Sequence, residues 1–206
     1  LCLGKGASGN VVYVNGAAEA ESTSKLISAS IENETEDEEI LALVELSETI
    51  IHKNFALNRT LKKRVAFHYG NMPLIIKGEI ERLFSKGKID FLICTSTLVE
   101  GVNMACKNIF IRGPKKGNST PMREEDFWNL AGRAGRWGKE FQGNVICIDS
   151  DNEKIWNGEP PKTKKNIFIT RATDAISHDM DKLVSYIFSE HHFGMSERNP
   201  NLQSLF

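Results

Sequence analysis

The chain has 206 residues, with 26 Lys and Arg against 27 Asp and Glu and a formal net charge of −1. Balanced charge excludes an overall polycation, so any polyanionic partner must meet a local patch. Hydrophobic residues at 40% and charged ones at 26% exclude a disordered chain and suit one ordinary domain with an appendage.

The chain opens on L-C-L-G with no initiator methionine, and a piece cut from a longer protein is expected. G-K-G-A-S-G, Gly4 to Gly9, spells the G-x-G-x-x-G of a dinucleotide site. That fingerprint needs its strand before the glycines and its helix directly after them. Here a strand follows instead: V-V-Y-V-N, Val11 to Asn15, short, β-branched and ended by Gly16. The glycines therefore form a loop ahead of the first strand. Ala17 to Ser30 has helical composition. The acidic run from Glu32 to Glu39 is a solvated loop plus the carboxylate-rich first turn of the next helix, where negative charge suits the helix dipole. That helix spans about Glu38 to Lys53, with Ile40, Leu43, Val44 and Ile51 on one face.

R-V-A-F-H-Y-G predicts a strand at Val65–Phe67 that ends at His68, Tyr69 and Gly70. Pro73 to Ser85 predicts a helix, with proline in its first turn and Leu74, Ile75, Ile80, Leu83 and Phe84 at helical spacing. I-D-F-L-I-C-T, Ile89 to Thr95, and N-I-F-I, Asn108 to Ile111, read as buried strands. R-G-P-K-K-G-N-S-T-P is a loop by every turn signal. Glu124 to Ala131 predicts a short helix, and N-V-I-C-I, Asn144 to Ile148, a last strand. Pro160, Pro161 and the nearby lysines read as a linker. A final helix is expected over Ala172–Glu190, with Ile176, Met180, Leu183, Val184 and Ile187 as its apolar face. Apolar strands alternating with amphipathic helices imply a mostly parallel α/β sheet with helices on both faces. Such sheets take ligands at the carboxyl ends of their strands. The expected division is 1–151 for this lobe and 152–206 for a linker and helical extension.

Four cysteines, Cys2, Cys94, Cys106 and Cys147, show no C-x-x-C or zinc-ligand spacing. No metal site is expected, and a reducing cytoplasm is. No apolar run approaches the roughly twenty residues of a membrane helix, so no membrane partner is expected. No P-loop G-x-x-x-x-G-K-[S/T] and no D-E-x-[D/H] box occur in the sequence. Such a chain cannot cradle and cleave a nucleoside triphosphate alone.

Two segments remain that neither core packing nor turn chemistry explains. T-S-T-L-V-E-G-V-N, Thr95 to Asn103, begins where a buried strand ends, and its hydroxyls and amides suit phosphate oxygens or ordinary helix capping. N-L-A-G-R-A-G-R-W-G, Asn129 to Gly138, sets Arg133 and Arg136 three apart among small residues. Arginine there calls for an anion.

Together these segments resemble motifs V and VI of superfamily-two helicases. The resemblance is to the DExH-box branch that includes exosome-associated RNA helicases and archaeal repair helicases. V-V-Y-V-N-G resembles motif IV, and R-V-A-F-H-Y-G-N-M-P a His-His-Gly-like turn of that branch. The match runs in order from about Val11 to Asp149. It implies the second, C-terminal RecA-like lobe of a two-lobe motor, its first lobe carrying the P-loop and DExH box. By resemblance the anion is the γ-phosphate of ATP, bound with Mg²⁺ mainly by that N-terminal lobe. Arg136 aligns with the arginine finger and Arg133 with the neighbouring phosphate-contacting arginine. Gly101, Asn103 and Asn129 fall on nucleotide-facing positions, Asn129 standing where the family usually has Gln or His. Asn15, Gly16, His68, Gly70, Thr95, Ser96 and Thr97 fall on the surface that grips a single strand of DNA or RNA. Trp137 either packs structurally or stacks on a base. The implied function is an ATP-dependent helicase or translocase. The alternative is a catalytically silent nucleic-acid-binding scaffold derived from such a lobe.

Overall fold

Five short parallel strands form one sheet in this computed structural model, which describes residues 8–96, 106–116, 120–135 and 143–163. In chain order the elements are β1 (Asn10–Tyr13), α1 (Ala17–Ala29), α2 (Glu38–Ile50), α3 (Ala56–Leu61), β2 (Val65–His68), α4 (Leu74–Ser85), β3 (Phe91–Cys94) and β4 (Asn108–Ile111). A two-stranded ribbon follows, β5 (Lys115–Lys116) with β6 (Thr120–Pro121), then α5 (Glu124–Ala131), β7 (Asn144–Cys147) and α6 (Glu153–Trp156). The sheet order is β2-β3-β1-β4-β7, every pair parallel. The ribbon is antiparallel. This is the parallel α/β architecture that the alternating pattern implied, and it fits the RecA-like lobe that the resemblance implied. The β1-to-β2 connection carries α1, α2 and α3, and α2 packs against both α3 and α4.

The central strands are buried on both faces. All four residues of β2 and all four of β3 are buried, as expected of apolar runs in a covered parallel sheet. Phe67, Phe84, Leu57, Leu61, Ile76, Ile80 and Leu92 are fully buried around them. β7 differs. It forms an edge of the sheet, and Val145 stays 37% exposed.

Register is fixed at the amino ends by an asparagine ladder. Asn10, Asn108 and Asn144 are in register across β1, β4 and β7. Asn108 Nδ2 donates to Asn10 Oδ1 at 2.8 Å, and Asn144 Nδ2 to Asn108 Oδ1 at 2.9 Å. A slip of one residue would break both side-chain bonds and turn each strand over.

The helices show how local chemistry sets boundaries. Asp37 caps α2, its carboxylate accepting from Glu39 N at 3.0 Å and Ile40 N at 3.2 Å. Lys88 is the main cause holding the Asp37 carboxyl below its usual range. Glu39 bonds Arg82, Lys86 and Lys88, which ties the start of α2 to the end of α4. The phase of α4 differs from the expectation. Ile76, Ile80, Leu83 and Phe84 face the core, while Leu74 is 82% and Ile75 56% exposed. Pro73 occupies the cap position, and Leu74 and Ile75 lie on the solvent side of a first turn whose Ile76 is buried.

The compact unit runs to Lys162, and a second unit begins at Thr163. Residues 152–162, expected as the start of a linker after Asp151, carry α6 and belong to the first unit. Trp156 explains this: it is 8% exposed, and its Nε1 donates to Ile148 O at 2.9 Å. Its ring meets Phe127 edge-on. The expected loop Gly4–Gly9 lies largely, and the expected helix Ala172–Glu190 wholly, outside the described residues.

Candidate functional site

The carboxyl ends of β1, β2 and β3 open into a crevice of about 200 Å³. That is smaller than the usual pocket for a small organic ligand, and it suits a segment of phosphate and sugar. Its lining comes from the ends of these strands and the segments that follow them, with one residue of β5: Tyr13, Asn15, Gly16 and Ala17; Tyr69, Gly70 and Asn71; Thr95 and Ser96; and Lys115. Among the described residues no acidic side chain is on this lining, and Glu19 stands beside it, accepting from Asn15 N at 2.9 Å. Lys77 Nζ, donating to Gly70 O at 2.9 Å, brings a second cation to the rim. Gly16 is the cap of α1 with extended backbone, φ −166°. The amide end of a thirteen-residue helix therefore faces the crevice, where partial positive charge favours an anion. A Cβ at Gly16 would meet nothing within 4 Å, so a ligand can approach its backbone.

Asn15 has a different arrangement from the one its sequence position implied. Its Oδ1 accepts from Lys115 N at 2.6 Å, and its Nδ2 donates to Gly113 O at 3.3 Å. The side chain is committed to the loop after β4. His68 also departs from expectation. As the last residue of β2 it is fully buried, and its imidazole lies 3.9 Å from Glu81. Burial, and then the charge of Lys77, push its pKa down to about 4. The ring is neutral at pH 7, so the Glu81 contact is not an ion pair there. The side chain points into the core, and Tyr69, Gly70 and Asn71 reach the crevice in its place.

The arginine segment lies at the other edge of the sheet. α5 starts with Glu124, Glu125 and Asp126 in its first turn and ends at Gly132. Buried Phe127 and Leu130 fix its face to the core. Arg133 N donates to Leu130 O at 3.1 Å and Ala134 N to Ala131 O at 3.1 Å, which turns the chain off the helix. Arg133 O then accepts from Cys106 N at 3.1 Å, and Gly135 N donates to Cys106 O at 2.9 Å. Ala134 thus pairs with Cys106 as an isolated parallel bridge. Cys106 precedes β4, and Lys107 N donates to Gly9 O, ahead of β1, at 2.8 Å. The arginine segment is therefore seated on the amino edge, opposite the crevice. Burial raises the Cys106 thiol to about 12 and raises that of Cys94, both opposed by the nearby Arg133 charge. Both thiols are inert protonated packing groups.

One glycine sets the depth of this seat. An added Cβ on Gly143 would lie 2.1 Å from Gly135 N and 2.5 Å from the carbonyl carbon of Ala134. Only a residue without a side chain lets β7 start against the arginine segment.

Of the residues expected at a single strand, Asn15, Gly16, Gly70, Thr95 and Ser96 share the crevice, and His68 does not line it. Arg133 is half-buried and Asn129 exposed at the opposite edge. Thr97, Gly101, Asn103, Arg136 and Trp137 lie outside the described residues. Sequence reasoning missed Tyr13, Tyr69, Asn71, Lys115 and Gly143. The paired lysines of R-G-P-K-K-G gave a signal for Lys115. The others emerge only when distant segments meet. Among the described residues no group of three or more His, Cys, Asp or Glu side chains could hold a metal ion, so no metal ligand is assigned here. No helix among them is long and apolar enough to cross a membrane.

Comparison with known proteins agrees with this geometry. The family described as the helicase conserved C-terminal domain matches residues 20–138. Anti-bacteriophage protein B of Escherichia coli (strain K12) is 34% identical over 99 residues, 48% of this chain and 13% of that protein. Hachiman protein HamB of Bacillus cereus is 27% identical over 161 residues, 78% of this chain and 13% of that protein. Antiviral helicase SKI2 of Saccharomyces cerevisiae is 36% identical over 91 residues, 43% of this chain and 7% of that protein. The chain thus spans only a small part of the length of these relatives. With the family match covering more than half of its residues, it belongs to the helicase C-terminal domain family, as a superfamily-two RecA-like lobe.

Proposed function

We propose that this helicase C-terminal domain is the second lobe of an ATP-dependent motor on single-stranded nucleic acid, with its two tasks divided between opposite edges of one sheet. The observation that carries the reading is this separation. Arg133 is held by backbone bonds to Cys106 at the amino edge, and a small crevice with Lys115 on its described lining opens at the carboxyl edge. Arg133 and Arg136, with Gly101, Asn103 and Asn129, would face the phosphates and ribose of ATP bound with Mg²⁺ on an N-terminal lobe. A fixed guanidinium offsets charge that develops during phosphoryl transfer, and such fingers contribute on the order of 10³-fold or more in rate. The crevice, with Gly16, Gly70, Thr95 and Ser96 and with Thr97 next along the chain, would grip the backbone of DNA or RNA. No base-reading element accompanies it, which suits sequence-tolerant binding. A nucleotide that favours the closed pair of lobes would then shift the strand grip. The free thiols of Cys94, Cys106 and Cys147 support a reducing compartment, the cytoplasm.

Two measurements test this. Calorimetry of residues 1–206 alone should detect no ATP binding in the micromolar range, and micromolar binding would overturn the split site. A longer chain that includes the N-terminal lobe should hydrolyse ATP faster when single-stranded DNA or RNA is added. Strand binding indifferent to ATP, with no hydrolysis, would instead identify a silent scaffold.

A further inference from the structure

We infer that Asn15 and Tyr13 are positioning residues that latch the Lys115–Pro121 ribbon to the rim of the crevice, so that Lys115 meets the phosphate backbone of the strand. The inference rests on the reading of the crevice as a strand site.

The latch is unusual in what it grips. Lys115 N–H is bound by Asn15 Oδ1 at 2.6 Å, and Lys115 C=O accepts from the Tyr13 hydroxyl at 2.8 Å. Both polar groups of one peptide residue are thus held by side chains about a hundred positions earlier, at the end of β1. Tyr13 is 2% exposed, so its hydroxyl is fixed in place. Asn15 Nδ2 adds Gly113 O. A carboxamide has one acceptor oxygen and two N–H donors. Asn15 uses the oxygen and one donor on the ribbon, so most of its hydrogen-bonding capacity goes to holding Lys115 and Gly113 and one N–H is left over. Its backbone N–H is taken by Glu19 at 2.9 Å.

The ribbon needs such a hold. Strands of two residues do not stand alone in water. Met122 N donates to Pro114 O at 2.9 Å and closes its base. Gly113, at φ +48°, lets α6 approach so closely that an added Cβ would lie 2.3 Å from Ile155 O. The base is therefore pinned by α6 on one side and by Tyr13 and Asn15 on the other. What stays exposed is the Lys115 side chain, the one cationic side chain on the described crevice lining.

The test uses the full chain with both lobes, an unstructured oligonucleotide as activator, and ATP turnover as readout. Lys115→Ala should raise the half-saturating oligonucleotide concentration about fivefold and flatten the salt dependence by about 0.7 in slope, one phosphate contact on a single strand. Turnover at saturating strand should stay within about twofold. Asn15→Ala should give a similar rise. The double variant should be no worse than either single one, because both remove one contact. Multiplying losses, about 25-fold in the double, would show that Asn15 acts on its own and overturn the latch. An unchanged half-saturation in Lys115→Ala would overturn the contact. Should Asn15→Ala also lose turnover at saturating strand, Tyr13→Phe decides. It removes one oxygen, and it should speed amide exchange of Lys115 and weaken strand activation together. No change in either overturns the inference. Failure of the underlying reading is seen separately: a wild-type chain that binds no single strand removes the site before any variant is made.

Discussion

Gly143→Ala gives the sharpest perturbation of the arginine seat. The new methyl would stand 2.1 Å from Gly135 N, 2.5 Å from the Ala134 carbonyl carbon and 2.8 Å from Ala134 Cβ. Ordinary contact begins at 3.4 Å, so the segments must part by roughly 1 Å, and overpacking of this kind costs about 1–3 kcal/mol. Two of the obstructing atoms are backbone and the third is a Cβ fixed to it, so none can rotate aside. The bond they would strain is Gly135 N–H to Cys106 O, at 2.9 Å. Taking about 2 kcal/mol, the melting temperature should fall by about 4–8 °C for a unit of this size. Turnover should suffer more. A displacement of about 1 Å at a catalytic group can cost 10²-fold, so strand-stimulated kcat in the full chain should drop about 100-fold at a temperature where the variant remains folded. The half-saturating strand concentration should stay within about twofold, because the crevice lies at the far ends of the strands and distant sites act independently. Steady-state ATP hydrolysis against oligonucleotide concentration, with calorimetric melting, measures all three. Wild-type turnover in a folded variant would refute the claim that this seat positions the arginines. A strand affinity that falls in step with turnover would refute the division between edges.

His68 makes stability depend on pH. Its folded pKa of about 4 lies below the roughly 6.5 of an unfolded histidine. Between those values the unfolded chain binds the extra proton, so stability rises as pH rises from about 4 to about 6.5, by up to about 3 kcal/mol. Glu81 works against this, because burial raises its pKa and its contribution is lost as pH rises through that value. Urea midpoints across this range should climb for wild type and flatten for His68→Gln; a flat wild-type profile contradicts the burial argument. Gly16→Ala has no steric consequence in the fold, since nothing lies within 4 Å of the new methyl and the backbone is extended. Its melting temperature should match wild type within about 1 °C, while oligonucleotide affinity falls a few-fold as the methyl blocks approach to the end of α1. Unchanged affinity, measured by fluorescence anisotropy, would take the crevice floor out of the strand site.

The sheet was largely legible in the sequence because its signals are local. Asn108–Ile111 and Glu124–Ala131 appear with the expected bounds, one as a continuous apolar run and the other as an acid-started amphipathic turn. α3 was not, since six residues carry less than two helical turns of pattern. Leu74 and Ile75 were misplaced for a related reason. In the first turn of α4 only Ile76 is buried, and Leu74 and Ile75 are apolar side chains on the solvent side. The arginine segment was recognisable by spelling, but its seat depends on Cys106 and Gly143, which only the fold brings beside it. Asn15 shows the limit most clearly. A polar residue at a strand end is equally suited to a ligand or to a passing loop, and its partners lie 98 and 100 positions away. His68 lay one position inside the same boundary, and that one position put its ring in the core.

The central claim is that the arginine edge acts on the nucleotide and the crevice acts on the strand, and Arg136→Lys tests it most directly. Lysine keeps the charge and loses the planar fork. In the full chain, nucleic-acid-stimulated kcat should fall by at least about 100-fold, near the lower end of what arginine fingers supply, with KM for ATP and single-strand affinity changed far less. Arg133→Lys in parallel should place a larger share of its loss in KM for ATP. A wild-type kcat for Arg136→Lys would contradict the account.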